Sequence, residues 1–459
     1  MTTVNGLAAA APSQFSPQAA PGALTVAAAL SSLKARPGTT AEIVDTVANI
    51  QKNLDALQGL SARITSLQTS DSGKQLQVGA SAYQRNAAIL AKWGAGNGQT
   101  VEVANVAAAA ATALVAAKPA WVTSITVQDS SGNLQRNLDA LQALVSGGSL
   151  RQIVHVGPAT PMKITAAQLV ANQGALGVIK NQAYTLAITD ATVSDTLGLG
   201  GQAALGSNLK VKSIAVKDTT DAIETHLDAL QRVGLKLKSI SQTDENNPLT
   251  LTGAQYWQNS VAIGKILTNV QLDVIRASAA QTALLAANQK VVTVSVEDTA
   301  ANIARRWGLM DRLADSLTAI EVTDADNAVT LTSDQLSAGS DLLAKFTGSG
   351  SPPYKLAIIG VKAGQAASVA AITNVTSVKV SDTADNIVAN LDALHGVGEA
   401  GLLQGIGLTG KNLTLTMDAA RLLGDPLTAT QAVLGKISNG AWRLAVTGVA
   451  MADLDDIAG

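Results

Sequence analysis

Short runs of alternating β-branched residues recur along the chain, and each is followed by the spacing of an amphipathic helix. Four of these runs are Ser124–Val127, Ser213–Val216, Thr293–Val296 and Ser377–Val380. Such alternation predicts strands. An Asp followed by Thr or Ser comes next and predicts a helix start, because these side chains accept hydrogen bonds from first-turn amides. Apolar residues then stand five, nine and twelve positions after the Asp, as at Ile50, Leu54 and Leu57, which places them on one helix face.

This pattern occurs five times. The Asp residues that begin it, called the anchor aspartates here, are Asp45, Asp129, Asp218, Asp298 and Asp382. Neighbouring anchors are 84, 89, 80 and 84 residues apart. Four of the five copies continue into the phrase Leu-Asp-Ala-Leu, which begins at Leu54, Leu138, Leu227 and Leu391. Self-similarity at a nearly fixed period is typical of a repeat architecture.

The rest of each repeat adds further strands and helices. A pair of strands is predicted after the anchor helix, as at Ser239–Asp244 and Leu249–Thr252. A second helix then opens with a capping box, at Ser81–Gln84, Thr165–Gln168, Thr252–Gln255 and Thr332–Gln335. The fifth repeat departs, with Ala419 three residues after Thr416. A third strand leads into an Ala-rich third helix, the strands being Tyr184–Ile188, Leu272–Ile275, Leu356–Ile359 and Leu444–Val446.

Alternating strands and helices predict parallel sheets with right-handed crossovers. We therefore expect an α/β fold, a solenoid of five repeats of about 84 residues in which each repeat buries its faces against its neighbours. The alternative is five separate α/β domains, but no Pro-, Gly- or Ser-rich linker separates the repeats. The predicted segments are a flexible lead-in (1–21), a partial repeat at the phase of a third helix (22–44), and repeats 45–128, 129–217, 218–297, 298–381 and 382–459.

The first and last segments carry the same phase of the repeat. Residues 23–35 have the position of a third helix, and residues 446–454 match the beginning of one. Complementary ends would make a heterologous contact that does not close, which builds a filament. Head-to-tail assembly is therefore one prediction of the pattern.

Composition narrows the function. Only 14% of the residues are charged and the formal net charge is −2 with no basic block, which disfavours a nucleic-acid partner. The 47% hydrophobic content disfavours disorder. The chain contains no cysteine, so disulfides, thiolate metal sites and a Cys nucleophile are excluded.

Targeting signals are also few. No basic residue precedes Lys34, so no N-terminal signal peptide is predicted. The most apolar run, 103–117, is too short to span a bilayer.

Two glycine-rich segments match nucleotide-binding patterns but have the wrong context. Residues 405–412 resemble a phosphate loop, yet Asn412 stands where Ser or Thr would bind magnesium, and a strand follows instead of a helix. Residues 396–401 follow a helix, so they are interpreted as its C-terminal cap and a loop. Neither segment predicts a cofactor.

The remaining polar candidates also favour structural roles. His155, His226 and His395 stand at different phases of different repeats, which disfavours a histidine metal site or a Ser-His-Asp set. The turns 244–247 and 324–327 offer oxygen ligands that would suit calcium, although Asp and Asn are ordinary turn residues. The carboxylates of the recurring phrase, Asp55, Asp139, Asp228 and Asp392, are expected to be solvated or to act as cap partners. No catalytic, cofactor-binding or metal-binding residue is predicted.

The phrase DTxxNIxxxLDALQ, followed by SIxxTD, LTLTxxQ and LAVTGV, resembles repeats of long bacterial secreted and surface proteins of adhesin-like or hemolysin type. The resemblance covers about residues 40–459. It implies export by type I secretion, without an N-terminal signal, to the cell surface or the extracellular space. The chain lacks the Gly-Gly-x-Gly-x-Asp nonapeptides of the calcium-binding hemolysin-type proteins, so calcium dependence is not carried over.

Two functions follow from these observations. The first is a non-catalytic structural protein of the cell exterior that assembles with itself into a filament, surface layer or adhesive matrix. The alternative is a monomeric solenoid that acts as an adhesin and binds a protein or a polysaccharide. An enzyme is not expected, because no converging pair of carboxylates is evident.

Overall fold

A computed structural model describes residues 22–94, 98–158, 160–201, 203–244, 247–267, 270–313, 315–348, 352–423 and 427–451. The predicted lead-in, 1–21, lies outside these residues. The chain divides into two compact units, the first made of residues up to Lys217 with Leu235–Ser239, and the second of Asp218–Gly234 with Ile240 onward.

The strands are short, and each of the four alternating runs lies within one of them, as predicted. They are β1 (Ala41–Asp45), β2 (Ile64–Thr69), β3 (Leu76–Gly79), β4 (Val101–Val106), β5 (Val122–Asp129), β6 (Leu150–His155), β7 (Met162–Thr165), β8 (Leu186–Ala191), β9 (Val211–Asp218), β10 (Leu237–Gln242), β11 (Leu249–Thr252), β12 (Leu272–Ala277), β13 (Val291–Asp298), β14 (Leu317–Val322), β15 (Ala328–Thr332), β16 (Phe346–Thr347), β17 (Lys355–Val361), β18 (Val375–Thr383), β19 (Leu403–Thr409), β20 (Thr414–Asp418) and β21 (Arg443–Thr447).

The helices are also short. They are α1 (Val26–Ala35), α2 (Val47–Lys52), α3 (Leu54–Gln58), α4 (Ala80–Arg85), α5 (Ala87–Gly94), α6 (Ala108–Ala117), α7 (Ser131–Arg136), α8 (Leu138–Ser146), α9 (Ala166–Ala171), α10 (Gln173–Gly177), α11 (Val193–Leu197), α12 (Thr220–Thr225), α13 (Leu227–Val233), α14 (Gly253–Gln258), α15 (Ser260–Ile263), α16 (Thr282–Ala286), α17 (Ala300–Met310), α18 (Ser333–Ala338), α19 (Ala366–Ala370), α20 (Ala384–Ala389), α21 (Leu391–Glu399), α22 (Ala419–Leu423) and α23 (Leu427–Leu434).

The strand pairs whose register is defined are all parallel, as the alternation of strands and helices predicts. In the first unit the sheet orders are β1-β2, β3-β4-β5-β6 and β7-β8-β9, with β10 next to β9. In the second unit they are β11-β12-β13-β14-β16, β15-β17-β18-β19 and β20-β21. The fold class is therefore α/β with several small parallel sheets.

One face of the central strands forms the core. Val294 and Val296 of β13 are buried, whereas Thr293 and Ser295, which alternate with them, point to the half-buried opposite face. This alternation follows from the period of two in a strand. The apolar residues of the anchor helix, Ile50, Leu54 and Leu57, are likewise buried, as predicted.

The anchor helix itself differs from the prediction, because in four repeats it is interrupted eight residues after the anchor. The interrupting residue leaves helical geometry in each case, as at Asn53 (φ −109°, ψ 17°) and His226 (φ −115°, ψ 16°). In the fourth repeat Arg306 has this position, and α17 continues through it without a break. The Asn side chain favours the break, since Asn53 Nδ2 donates to the carbonyl of Asn49 at 2.9 Å.

The second helix begins as predicted in three repeats. Thr165, Thr252 and Thr332 form capping boxes with Gln168, Gln255 and Gln335. The predicted box Ser81–Gln84 is wrong. Burial of Leu76 and Val78 carries β3 on to Gly79, which is the residue before the helix and makes no side-chain cap.

In four repeats the third strand contains one residue in left-handed conformation. These residues are Asn105 (φ 57°), Asp190 (51°), Arg276 (52°) and Gly360 (73°), and in the fifth repeat Gly448 (67°) directly follows β21. The strand register shifts next to this position in β4, β8, β12 and β17, which marks a bulge. Glycine, Asn and Asp tolerate this conformation, because other side chains crowd the backbone in it.

We expect Gly360→Ala to lower the free energy of unfolding by about 1–2 kcal/mol, the cost of a Cβ in left-handed conformation. No atom lies within 4 Å of the position that this Cβ would take, so the effect reports backbone strain alone. Gly360→Asn should cost less, since Asn105 occupies the equivalent position. Denaturant titration of both variants checks the order, and equal losses would contradict the backbone explanation.

Candidate functional site

The anchor aspartate recurs in all five repeats and lies at the end of the strand before the anchor helix. Its Oδ2 accepts from a backbone N–H some 19 to 21 residues earlier: Asp45 from Val26 at 2.8 Å, Asp129 from Ala108 at 3.0 Å, Asp298 from Ala279 at 2.9 Å, and Asp382 from Ala363 at 3.0 Å. The Oδ1 of these four aspartates accepts from the next backbone N–H and from an Asn side chain four residues on, whereas Asp218 has Ala222 at that position. One carboxylate therefore joins the beginnings of two successive helices.

These hydrogen bonds change the acidity of the anchors. Burial of the Asp382 carboxylate opposes its ionisation, but the hydrogen bonds from Asn386, Ala363 and Thr383 outweigh burial and lower its pKa below 3.8. Asp45 and Asp129 have lowered pKa values for the same combination of causes. A carboxylate that is firmly ionised and fully engaged is unsuited to act as a general acid or base near neutral pH.

In three repeats a second aspartate follows the anchor by 26 residues and binds the same helix from the turn after the next strand. Asp71 accepts from the N–H of Val47 at 2.9 Å, Asp244 from that of Thr220 at 2.8 Å, and Asp324 from that of Ala300 at 2.6 Å. Asp244 and Asp324 belong to the turns considered for calcium. Across the described parts of the chain, no group of three or more His, Asp and Glu side chains is placed to hold a metal ion.

The second repeat replaces this aspartate with His155. Its Nε2 lies 2.7 Å from the hydroxyl of Ser131, the first residue of α7. Sequence reasoning missed this pair, although Ser131 and His155 stand at the positions of Val47 and Asp71 in the first repeat. A nucleophilic serine needs a base that a third group orients. The neighbouring Asp129 carboxylate is instead engaged by Ser130, Asn133 and Ala108, so the pair replaces a helix cap.

The carboxylates of the Leu-Asp-Ala-Leu phrase also bind a neighbouring helix. Asn86 donates to Asp55 at 2.7 Å, Asn172 to Asp139 at 2.7 Å, and Asn259 to Asp228 at 2.6 Å. The Gln at the end of the phrase accepts from a backbone N–H of that helix, as Gln142 does from Ala175 at 2.8 Å. In the fifth repeat, Asp392 instead pairs with Arg421 at 3.2 Å. Asp55, Asp139 and Asp228 thus bind the Asn that ends a neighbouring helix, whereas Asp392 forms an exposed ion pair.

In the fourth repeat a different pair of residues makes the equivalent contact. Trp307 stands where the other repeats have Leu, and Gly339 stands where repeats one to three have Asn86, Asn172 and Asn259. The indole N–H of Trp307 donates to the Gln335 carbonyl at 2.8 Å. In the second repeat the Asn172 amide donates to the equivalent carbonyl, that of Gln168. The indole therefore replaces the amide, and the absence of a side chain at Gly339 makes room for it.

The two glycine-rich segments match their predicted turn and loop only in part, because β19 extends into the first and α21 into the second. Gly405 and Gly407 lie within β19, a turn containing Gly410 (φ 91°) follows, and β20 comes next. Gly396 and Gly398 lie in the last turns of α21, and Gly401 (φ 72°) follows the helix. Neither segment forms a loop that precedes a helix N-terminus, which a phosphate-binding loop requires.

Two apolar clefts occupy equivalent positions in the second and third repeats. The first, of about 730 Å³, lies in the first unit between α9 and the segment 195–208, and its lining includes Leu169, Val170, Tyr184 and Asp195. The second, of about 560 Å³, lies in the second unit and is lined by Tyr256, Trp257, Ser260, Ile263, Gly264, Leu284, Asn288 and Lys290. We call the second one the Trp257 cleft. Tyr256 and Trp257 replace Leu169 and Val170, the only sequence signal that distinguishes it.

Comparison of the chain with family models, with curated proteins and with solved structures gives no significant match. The resemblance to bacterial tandem-repeat proteins therefore stays a prediction. No helix among the described residues has both the length and the apolar character needed to cross a membrane.

Proposed function

We propose that the protein is a non-catalytic structural repeat protein of the bacterial cell exterior, an α/β solenoid of five repeats that assembles with itself into a filament, surface layer or matrix. The observation that carries this proposal is the use made of the recurring polar residues. The anchor aspartates and the Leu-Asp-Ala-Leu carboxylates are engaged in hydrogen bonds that join one strand–helix unit to the next. Recurring polar residues that bind neighbouring helices of the same chain suit a structural protein.

Strand β21 supplies a surface through which copies could associate. Among the described residues it pairs with β20 alone, whereas β12 and β17 lie between two strands. Its core-facing Leu444 is 37% exposed, whereas Val101, Leu186, Leu272 and Leu356 at the same register are at most 1% exposed. An unpaired strand edge with an exposed apolar residue is a template for pairing with another chain.

Self-association tests the proposal. We expect the measured mass to rise with protein concentration in sedimentation or light scattering, and fibres or sheets to be visible by negative-stain electron microscopy, with and without calcium. Leu444→Lys should shift the distribution toward monomer, because a charge on the edge opposes strand pairing.

The matched control is Leu235→Lys, since Leu235 is fully exposed and belongs to a different repeat. Melting curves of both variants verify folding. A monomer at every concentration would reject the proposal and favour the binding-module alternative. Equal dispersal by the two substitutions would reject the role of β21.

A further inference from the structure

The Trp257 cleft has a wall that the rest of the fold does not require. Aromatic residues make up only 2% of the chain, yet Trp257 is 65% exposed, whereas Trp93 and Trp307 are at most 1% exposed. Exposing an indole forfeits the free energy gained by burying a large ring. A structural role does not explain this placement.

The indole is carried on a helix that is held rigidly. The Thr252 capping box fixes the start of α14, and a Cβ at Gly253 would lie 2.6 Å from the Cα of Ala277, so the helix rests directly on the end of β12. Gln281 Nε2 adds a hydrogen bond to the Gly253 carbonyl at 2.9 Å. A platform on such a support loses little conformational entropy when a ligand stacks on it.

Polar groups line the same cleft. Asn288 Nδ2 donates to the Tyr256 hydroxyl at 2.8 Å, which leaves the hydroxyl proton available to a ligand acceptor. The Lys290 ammonium donates one hydrogen bond, to the Ile266 carbonyl, and so retains two further N–H donors. Ser260 contributes an exposed hydroxyl at the rim.

The Trp257 cleft carries a positive charge. Among the described residues of its lining, Lys290 is the one that carries a charge. The equivalent cleft of the first unit has Leu169 and Val170 in place of the aromatic wall and includes Asp195. Lys210, which has the position of Lys290, lies over the Tyr184 ring of that first cleft, where the Asp195 carboxylate offsets its charge. Charge complementarity therefore favours an anionic ligand for the Trp257 cleft.

We propose that the Trp257 cleft binds an acidic saccharide, a sugar ring that bears a carboxylate. The polarised C–H groups of a pyranose ring are attracted to the electron-rich face of an indole. Its hydroxyls match the donors of Tyr256 and Ser260, and its carboxylate matches the ammonium of Lys290 in a charge-assisted hydrogen bond. The volume of about 560 Å³ falls in the range of small-molecule sites.

The test is calorimetric titration of the full chain with three probes, namely oligomers of galacturonate, of mannuronate and of hyaluronan, beside a neutral cello-oligosaccharide. We expect at least one acidic probe to bind more tightly than the neutral one. Trp257→Ala should weaken that binding by about tenfold or more, since the stacking surface is lost. Val170→Ala, at the equivalent position of the first unit, is the matched control and should leave binding unchanged.

Lys290 tests the charge separately. Lys290→Gln should remove most of the preference for the acidic probe, whereas Lys290→Arg should retain it. Near-ultraviolet circular dichroism verifies that each variant is folded. Absence of binding by all three acidic probes, or binding that Trp257→Ala does not change, would overturn the proposal. Loss of self-association in Trp257→Ala, without saccharide binding, would assign the cleft to a second copy instead. The saccharide titrations do not depend on the assembly proposed through β21.

Discussion

Gly339→Ala is expected to lower the free energy of unfolding by about 2–3 kcal/mol, the upper range for overpacking a well-filled core. A Cβ at this position would lie 2.4 Å from Nε1 of Trp307, which is buried and hydrogen-bonded to the Gln335 carbonyl. The ring also stacks on Phe346 at 6.1 Å between centroids, so it has little freedom to move aside. Denaturant unfolding measures the loss.

The matched control is Gly308→Ala, one residue after Trp307 in the same helix. No atom lies within 4 Å of the Cβ that it would add, so alanine should stabilise the helix by up to about 1 kcal/mol. A loss as large as that of Gly339→Ala would contradict the steric explanation.

The pair Trp307→Leu and Gly339→Asn extends this test to the exchange seen among the repeats. Each single substitution should destabilise, the first by leaving a cavity and the second by a clash. The double variant restores the Leu and Asn of the second repeat, where Asn172 donates to the Gln168 carbonyl. We therefore expect a favourable coupling of about 1–3 kcal/mol in the double-mutant cycle. Additive losses would show that the two positions do not compensate each other.

Asp382→Ala is expected to cost about 3 kcal/mol or more, because three donors lose a charged acceptor and each buried unsatisfied group costs about 1–3 kcal/mol. The donors are the N–H groups of Ala363 and Thr383 and the side chain of Asn386, at 3.0, 2.8 and 2.7 Å. Asp382 is only 4% exposed. Thermal unfolding and hydrogen exchange at the Ala363 amide measure the effect.

Asp392→Ala is the control within the same repeat. The Asp392 side chain is 95% exposed, and its ion pair with Arg421 should contribute no more than about 1 kcal/mol. Comparable losses for Asp382→Ala and Asp392→Ala would contradict the role assigned to the anchor.

Acid should reduce the difference between the native chain and Asp382→Ala. The folded-state pKa of Asp382 lies below its usual value of 3.8, so its contribution to stability is present above that pH and is lost as the pH falls through the folded-state pKa. Asp45 and Asp129 have the same direction of shift and should add to acid unfolding below about pH 4. A difference between the two chains that persists unchanged at low pH would contradict this linkage.

Local patterns predicted much of this fold because they report local physics. The alternation at Thr293–Val296 marks β13, and the Thr332–Gln335 box marks the start of α18, since both depend on residues close in sequence. The helix break at Asn53 was not predicted, because the apolar spacing across it is unchanged and only backbone hydrogen bonding reveals it. The box at Ser81 failed since burial of β3, a tertiary effect, set the helix start at Gly79.

The sequence by itself determined the five-fold recurrence, the α/β class and the structural character of the polar motif, because periodicity and capping chemistry are local. Tertiary structure alone decided which donors each aspartate serves, since Asp45 and Val26 lie 19 residues apart and meet only through the fold. It also decided that Trp307 compensates for Gly339, that Ser131 meets His155, and that Trp257 and Lys290 share one cleft. These pairings depend on how successive strands and helices pack against each other. The spacing of residues along the chain does not specify which side chains then come into contact.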